Sequence, residues 1–488
     1  MADKTLAATE KEADTVSSSS NGVEISATES SKLNRKLDLY VLPPLVLIWF
    51  LSFVDRVNIG NARIQGLEKD LGMMGNEFNI ALVAFFIPFI LFEVPSNLVL
   101  RNVTPSTWLS AEVFLLSICT LGQGVVTNYS GLVAMRVLLG IFEAGLVPGC
   151  VFLLSQYYPR FDMQWRLNVL LVSNALASAF GGLMAYAIAG LSGKRGYHGW
   201  RWIFIIEGSI TAVVAIICKF WMVDWPKTAR WLTDADRDLI ARRIVRDAGA
   251  FKMDRFDSRA IKRCFLDWKI WTNIFIYVGT VNTAYSVNLF APTIIQQMHP
   301  TYTPRHIQAL VIPIFVVSAV GALVAAIGSD RLRHRFGFAM AGYLISSVGF
   351  IVLLLQKHVA VEIRYMALYF INVGSYISLP TLWTILANNV SGQWKIAVAS
   401  AMQIGLGSSG GICASLIYTK QQAPFYKIGY DVSFGLLLMA AALMILYVAG
   451  LRWENAKRDE GGRDYRFMLP KDELENLGDD HPEFRFVY

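Results

Sequence analysis

Apolar runs of about 20 residues, long enough to cross a bilayer as helices, recur twelve times along this chain with polar stretches between them. They fall near residues 38–57, 78–100, 106–126, 131–154, 165–190, 202–222, 270–290, 307–328, 338–356, 363–386, 394–417 and 431–450. The longest polar interval, 224–268, separates the sixth run from the seventh. Within it, TDADRDLIARRIVRDAG reads as a short surface helix. Thr233 is placed to cap it, and Asp234 and Asp236 sit where the positive end of the helix favours acids.

The pattern predicts an all-α membrane protein of twelve transmembrane helices in two six-helix halves. A disordered tail over 1–36 precedes a first half over 37–223. A cytoplasmic linker over 224–268 leads to a second half over 269–451, and a charged, solvent-exposed tail over 452–488 follows. Carriers built from two such halves bind substrate near the bilayer midplane and rock to alternate access. The opening residues include TVSSSSNGVEISATESS, too polar to pack and without the apolar core of a signal peptide. The first span is therefore expected to act as the targeting signal.

Composition agrees with lipid solvation. The chain has 488 residues, 54% hydrophobic and 17% charged, against about 25% charged in soluble domains. The net charge of +7 follows from topology and implies no nucleic-acid partner. With both termini cytoplasmic, loops and flanks on that side hold 24 Lys and Arg against 10 outside, as the positive-inside rule requires. Lys194, Arg195 and Arg201 run against the bias locally. Five scattered cysteines form no CxxC pair, so neither a metal site nor a disulfide framework is indicated, and no cofactor is expected.

Charges inside the spans carry the functional signal, because an ionisable group in a membrane is costly. The first span ends WFLSFVDRVNIGNA, with Asp55 next to Arg56. Neighbouring helix positions diverge by about 100°, so each needs a partner elsewhere. The fourth span, in RVLLGIFEAGLVPG, offers Arg136 and Glu143, about 10 Å apart on one face, with Gly140 between them leaving room for a neighbouring helix. Matched depths suggest Asp55 with Arg136 and Arg56 with Glu143. A fixed buried pair stabilises poorly; one opened by a proton or an anion is a switch. Asp55 and Glu143 are therefore the candidate proton-coupling residues, and Arg56 and Arg136 the candidate ligands of an organic anion, since the guanidinium fork matches a carboxylate. The alternative is static salt bridges that fix helix packing.

The second half has almost no charge away from its span ends. It offers Asn282, Tyr285 and Asn288 in the seventh span, Asn372, Tyr376 and Trp383 in the tenth, and Gln403 and Ser408 in the eleventh. These are candidate pocket-wall residues, with interhelical packing as the alternative role for each. Glu112 reads as structural, and Glu207 as the partner of a nearby Arg. Sequons at Asn102, Asn128 and Asn389 are read as unused.

At these residues the sequence resembles the anion:cation symporter branch of the major facilitator superfamily, and more narrowly its fungal allantoate permease-like group. The carriers of the resemblance are SFVDRVNIGNA, EVPSNLVLR, RVLLGIFEAGLVPG, GWRWIFIIEG, ANNVSGQWK and GSSGGI, spanning about 37–451. The segment GSDRLRHRFG also resembles the superfamily's basic loop motif. Asp330, Arg331 and Arg335 there, with Glu93 and Arg101 in the first-half loop, are expected to latch helix ends. The resemblance implies proton symport of small organic anions such as allantoate, nicotinate, pantothenate or biotin at the plasma membrane, and the protein is expected to work as a monomer. It places the family's proton sites on Asp55 and Glu143 and their Arg partners on Arg56 and Arg136. Two positions depart from the group: Ile396 follows Lys395 where Arg is usual, and Ser408 stands where the group has an Asn that resembles a substrate ligand.

Other readings remain. A drug or metabolite exporter would normally carry a Gly-rich, Pro-containing fifth span, whereas LVSNALASAFGGLMAYAIAG has no Pro. WPKTARWL only loosely resembles a sugar-carrier loop. A non-transporting sensor would use the same charges as ligand contacts. No nucleophile, base and orienting group appear together to suggest an enzyme.

Overall fold

The computed structural model describes residues 27–100, 103–248, 264–332, 334–391, 393–470, 473–474 and 476–487. The chain divides into two compact units, residues 1–43 and 44–488. The described part of the first unit is helical and buries Leu33, Leu37 and Val41. Its helix starts at Ala27, inside the segment expected to be disordered, with Glu29 in the first turn where the helix dipole favours an acid.

The described residues fold into helices and turns with no strand among them. A chain solvated by lipid must satisfy its backbone within each segment, and a helix does so. The elements are α1 (Ala27–Val57), α2 (Ile59–Ile64), α3 (Glu77–Leu100), α4 (Pro105–Val125), α5 (Tyr129–Glu143), α6 (Leu146–Tyr157), α7 (Arg160–Ile188), α8 (Gly199–Trp221), α9 (Asp234–Ala248), α10 (Trp268–Met298), α11 (Pro304–Leu332), α12 (Arg335–Leu354), α13 (Val361–Asn389), α14 (Gln393–Gly407), α15 (Ser409–Ile417) and α16 (Lys427–Asp459).

Eleven helical stretches among the described residues are long and apolar enough to cross a membrane, with α1–α2 and α5–α6 each counting as one. The eleventh expected span is divided: α14 stops at Gly407 and α15 begins at Ser409. The sequence GLGSSGG explains the break, since glycines are poor helix formers. The Ser408 hydroxyl also turns back to the Ile404 carbonyl (2.6 Å), a bond that bends helices. Similar breaks fall at Asn58, between α1 and α2, and at Ala144–Gly145, between α5 and α6.

Polar ends are capped as the sequence suggests. Thr233 and Asp236 exchange side-chain and backbone bonds of 3.2 Å at the start of α9, a capping-box arrangement. The Asn128 side chain caps α5 by accepting from the Gly131 amide (2.8 Å), and Asn389 is likewise engaged by backbone. The sequon at Asn102 lies outside the described residues, as do 249–263 of the expected linker.

Helices of the first and second groups meet along α2–α10, α3–α15 and α7–α11. At the end of the bundle reached by α2, the contact is sealed by polar bonds. The Asn79 amide donates to the Ser415 and Tyr418 carbonyls (2.5 and 3.1 Å). Glu68 joins Arg63 (2.7 Å) to Lys420 (2.6 Å), while Arg63 lies over the Phe78 ring. Gly60 permits this approach, because a Cβ there would come within 2.5 Å of the Leu289 carbonyl oxygen. Toward the other end, a small cleft is lined by Asn168 of α7 and by Ser329, Arg335, Thr381 and Thr384 of the later helices.

The C-terminal tail departs most from expectation. It is docked rather than free in solvent. Asp479 is fully buried and accepts from Lys269 (2.5 Å) and Lys395 (2.9 Å). Arg458 donates to the Asp479, His481 and Phe484 carbonyls. Asn389 and Asn455 each exchange two bonds with the backbone of Val487 and Phe486. Asp479 is thus held by lysines far away in sequence, while other tail charges pair within the tail, Arg463 with Glu454 and Arg485 with Asp459. Burial alone pushes the Asp479 carboxyl up, but the Lys269 and Lys395 ammonium groups prevail and hold it well below the usual carboxylate range.

Removing one partner of a buried pair costs about 3–5 kcal/mol. Asp479→Asn should therefore lower the stability of the purified full-length chain by that order, read by thermal unfolding in detergent. A depressed carboxylate contributes fully above its unfolded value and loses the contribution as pH falls through its folded value. The melting curves of wild type and Asp479→Asn should accordingly converge only below about pH 4. Convergence already near neutrality would contradict the buried ion pair.

Candidate functional site

The site is built where α1 and α5 end. Asp55, Arg56, Arg136 and Glu143 are all buried, Asp55 completely. Arg56, in the last turn of α1, donates from Nε (2.9 Å) and Nη2 (2.5 Å) to Glu143 Oε1. Its Nη1 donates to the Tyr285 hydroxyl on α10 (2.6 Å). One guanidinium thereby joins a carboxylate of the first helix group to a phenol of the second.

Rings complete the enclosure. The guanidinium carbon lies 4.7 Å from the Phe89 centroid, 5.1 Å from Phe85 and 5.6 Å from Phe53, within the range of cation–π attraction. Gly140 brings α3 this close: a Cβ there would stand 2.9 Å from Pro88 Cγ and against the Phe85 carbonyl. Phe86 in turn meets the Tyr285 ring edge-on at 5.1 Å.

Arg136 is differently placed. Its Nη1 donates to the Arg56 carbonyl (3.4 Å), while Nε and Nη2 have no hydrogen-bond partner among the described residues. No ion pair joins it to Asp55 there, although it interacts electrostatically with both Asp55 and Glu143. Both Asp55 oxygens lack a partner within hydrogen-bond geometry, with the Thr120 and Thr211 hydroxyls facing them. Glu207 does not pair with an Arg as the sequence suggested. It accepts from the Asn58 amide, while Arg201 goes to Asp70 and the Gly124 and Val126 carbonyls.

The wall residues of the second helix group divide in two. Tyr285 touches Arg56, Tyr376 donates to Asn288 (3.4 Å), and the Trp383 ring lies beside Tyr277 and Trp49 at 6.5 and 6.4 Å. The others are engaged in helix packing. Asn282 donates to the Gly410 carbonyl (3.4 Å), Asn372 to Ser318 (2.9 Å) and Gln403 to Asn273 (2.5 Å), and Ser408 bonds its own helix.

The expected latch residues are dispersed. Glu93 is not at a loop end: it is 1% exposed, has both oxygens unpartnered and faces Gly405 on α14, where a Cβ would stand 2.7 Å from Oε2. The reason is that α3 continues to Leu100, so Glu93 falls inside the helix. Arg101 lies outside the described residues, as does the side chain of Asp330. Arg331 is exposed at the end of α11, and Arg335 lines the small cleft.

Sequence reasoning missed Trp49, whose indole donates to Asn174 (2.6 Å), and Tyr277. Trp49 was detectable, lying seven residues before Arg56 and thus on the same helix face. Among the described residues no cluster suited to a metal is present. Chemically, the site is one buried cation held by an acid, a phenol and three rings, with a second, under-coordinated cation beside it. In general a carboxyl can carry a proton, and a guanidinium fork matches a carboxylate.

The family profile for the Major Facilitator Superfamily matches residues 45–415. "MFS transporter prlL" of Fungal sp. (strain NRRL 50135) is 33% identical over 451 residues, covering 90% of this chain and 90% of that one. The "High-affinity nicotinic acid transporter" of Saccharomyces cerevisiae is 27% identical over 491 residues, covering 99% and 90%. Among solved structures, a bacterial homolog of the human lysosomal transporter Spinster, in an inward-facing and occupied conformation, matches with a TM-score of 0.63 at 17% identity. The match covers 84% of this chain and 97% of that one, which is a likeness of fold.

If Arg56 and Glu143 act as a unit, their substitutions will not add. Arg56→Gln should destabilise the purified protein by about 3 kcal/mol, because a buried carboxylate is left alone. The double variant with Glu143→Gln should lose clearly less than the sum of the two single losses. Additive losses in thermal unfolding would show that the two side chains do not couple.

Proposed function

This chain belongs to the Major Facilitator Superfamily and is a multi-pass membrane transporter; from that premise we propose that it is a proton-coupled symporter of a small organic anion, working by alternating access. The observation that carries the reading is Arg56 held jointly by Glu143 and Tyr285, at the meeting of the two helix groups. Protonation of Glu143 removes the negative partner of Arg56. A substrate carboxylate then takes its place, with a fork geometry that Arg accepts and Lys does not. Arg136, with two nitrogens unpartnered, supplies a second anchoring point. Tyr285, Tyr376, Trp383, Tyr277 and Trp49 line the substrate's apolar side.

By the positive-inside rule, the end sealed by Asn79, Glu68 and Lys420 faces outward, and the termini are cytoplasmic. The fine placement within the family, the anion:cation symporters and their fungal allantoate permease-like group, rests on the motifs around these four charged residues. A relative named for nicotinic acid supports an aromatic or heterocyclic monocarboxylate as substrate. Ser408 gives its hydroxyl proton to the Ile404 carbonyl, and the substrate is expected to be anchored mainly by the arginines. The protein serves as a monomer at the plasma membrane, with the lipid bilayer as its surroundings.

External pH is the readout. Lightly buffered cells overproducing the protein, at acidic pH, receive nicotinate, allantoate, pantothenate or biotin one at a time. One acid should alkalinise the medium, and Glu143→Gln should abolish the response while still reaching the surface. Silence across the panel with the wild type at the surface would contradict uptake by proton symport.

A further inference from the structure

A buried polar network beside Asp55, reaching α8, is not used by the exchange described above. Glu207 lies on α8, 3% exposed. One of its oxygens accepts from the Asn58 amide and the other has no partner among the described residues. Thr211, one turn further along the same helix, faces Asp55, so α8 presents Glu207 and Thr211 along a single stripe. Asp55 and Glu207 stand close enough to interact electrostatically. Asn61 donates to Asn58 (2.7 Å), which extends the network from Glu207 along α2 toward the sealed end.

Buried polar atoms without partners are rare, and each calls for an explanation. Here both oxygens of Asp55 and one of Glu207 lack a partner among the described residues. Asn58 sits at the break between α1 and α2, and Gly181 of α7 leaves space for it, since a Cβ there would stand 2.5 Å from Asn58 Oδ1. The charged groups that bear on Asp55 are Glu143 and Arg136, and the one that bears on Glu207 is Asp55. Arg201, on the same helix as Glu207, is taken by Asp70. Two carboxyls side by side with one under-coordinated guanidinium cannot both ionise at little cost.

We propose that Glu207 is a second proton-bearing carboxyl of the transport cycle, passing its proton to Asp55. In that step the O–H bond on Glu207 breaks and one forms on Asp55. Glu207 becomes the carboxylate that accepts from Asn58, and Asp55 becomes neutral. Glu207 then recovers a proton from the sealed end once that end opens. The inference rests on the proton-coupled reading and adds a carrier to it; the substrate is not touched by Glu207.

The test is infrared difference spectroscopy of the full chain in phosphatidylcholine liposomes between acidic and alkaline medium, following the protonated-carboxyl C=O stretch. No substrate is needed, so the outcome is independent of the alkalinisation assay. Wild type should show a Glu207 component that disappears in Glu207→Gln and shifts in Glu207→Asp, with the Asp55 component moving in both. A spectrum unchanged in Glu207→Gln overturns the proposal. If that variant does not fold, an unshifted band in Glu207→Asp overturns it equally. A structural Glu207 would contribute no pH-dependent band. Failure of every carboxylate to alkalinise the medium, with the Glu207 band present, would refute symport while leaving Glu207 as a titrating group.

Discussion

A guanidinium withdrawn from water must be surrounded by acceptors and ring faces, and Arg56 gathers these from both groups of helices. Glu143 comes from the end of α5, Tyr285 from α10, and the rings from α1 and α3. Several features of the fold serve this one cation. Gly140 lets α3 approach α5, Gly60 lets α2 approach α10, and α1 breaks at Asn58, two residues beyond Arg56. Because the interaction crosses between the groups, any change in Arg56's partners bears on how they sit together. On the proposed reading, that links a local protonation to a rocking motion.

Magnitudes favour a switch over a brace. A buried ion pair gives little net stability, since desolvation offsets attraction, yet breaking it by losing one partner is expensive. Such a pair is therefore a poor reason for two charges to lie in a membrane and a good device for exchange. A proton and an anion arriving together leave the charge of the site balanced at each stage. The same logic applies to the neighbouring acids, where both oxygens of Asp55 and one of Glu207 lack a hydrogen-bond partner among the described residues.

The helices and the fold class were legible because apolar run length is a local property of the chain. The meeting of Arg56 with Glu143 was legible for a related reason: depth and helix face follow from counting residues along two spans. What was not legible depends on long-range partners. The division at Ser408 needed the joint effect of several glycines and a hydroxyl turned onto its own helix. Which side Asn282, Asn372 and Gln403 present depends on helix rotation, which sequence spacing does not fix, and each proved to bond a neighbouring helix. Glu93 misled because its segment was matched to the basic loop of the second half, whereas it lies inside α3. The tail's docking rests on Lys269 and Lys395, which lie 210 and 84 residues before Asp479.

The central claim is that neutralising Glu143 frees Arg56 for an anion. The most direct measurement is the binding of nicotinate and the other panel carboxylates to purified wild-type and Glu143→Gln proteins by calorimetry, in acidic and in alkaline buffer. The account predicts that wild type binds its acid tightly only in the acidic buffer. Glu143→Gln, which mimics the protonated state, should bind the same acid with similar affinity in both buffers. A variant that keeps the wild-type pH dependence, or binds no acid that wild type binds, would contradict it.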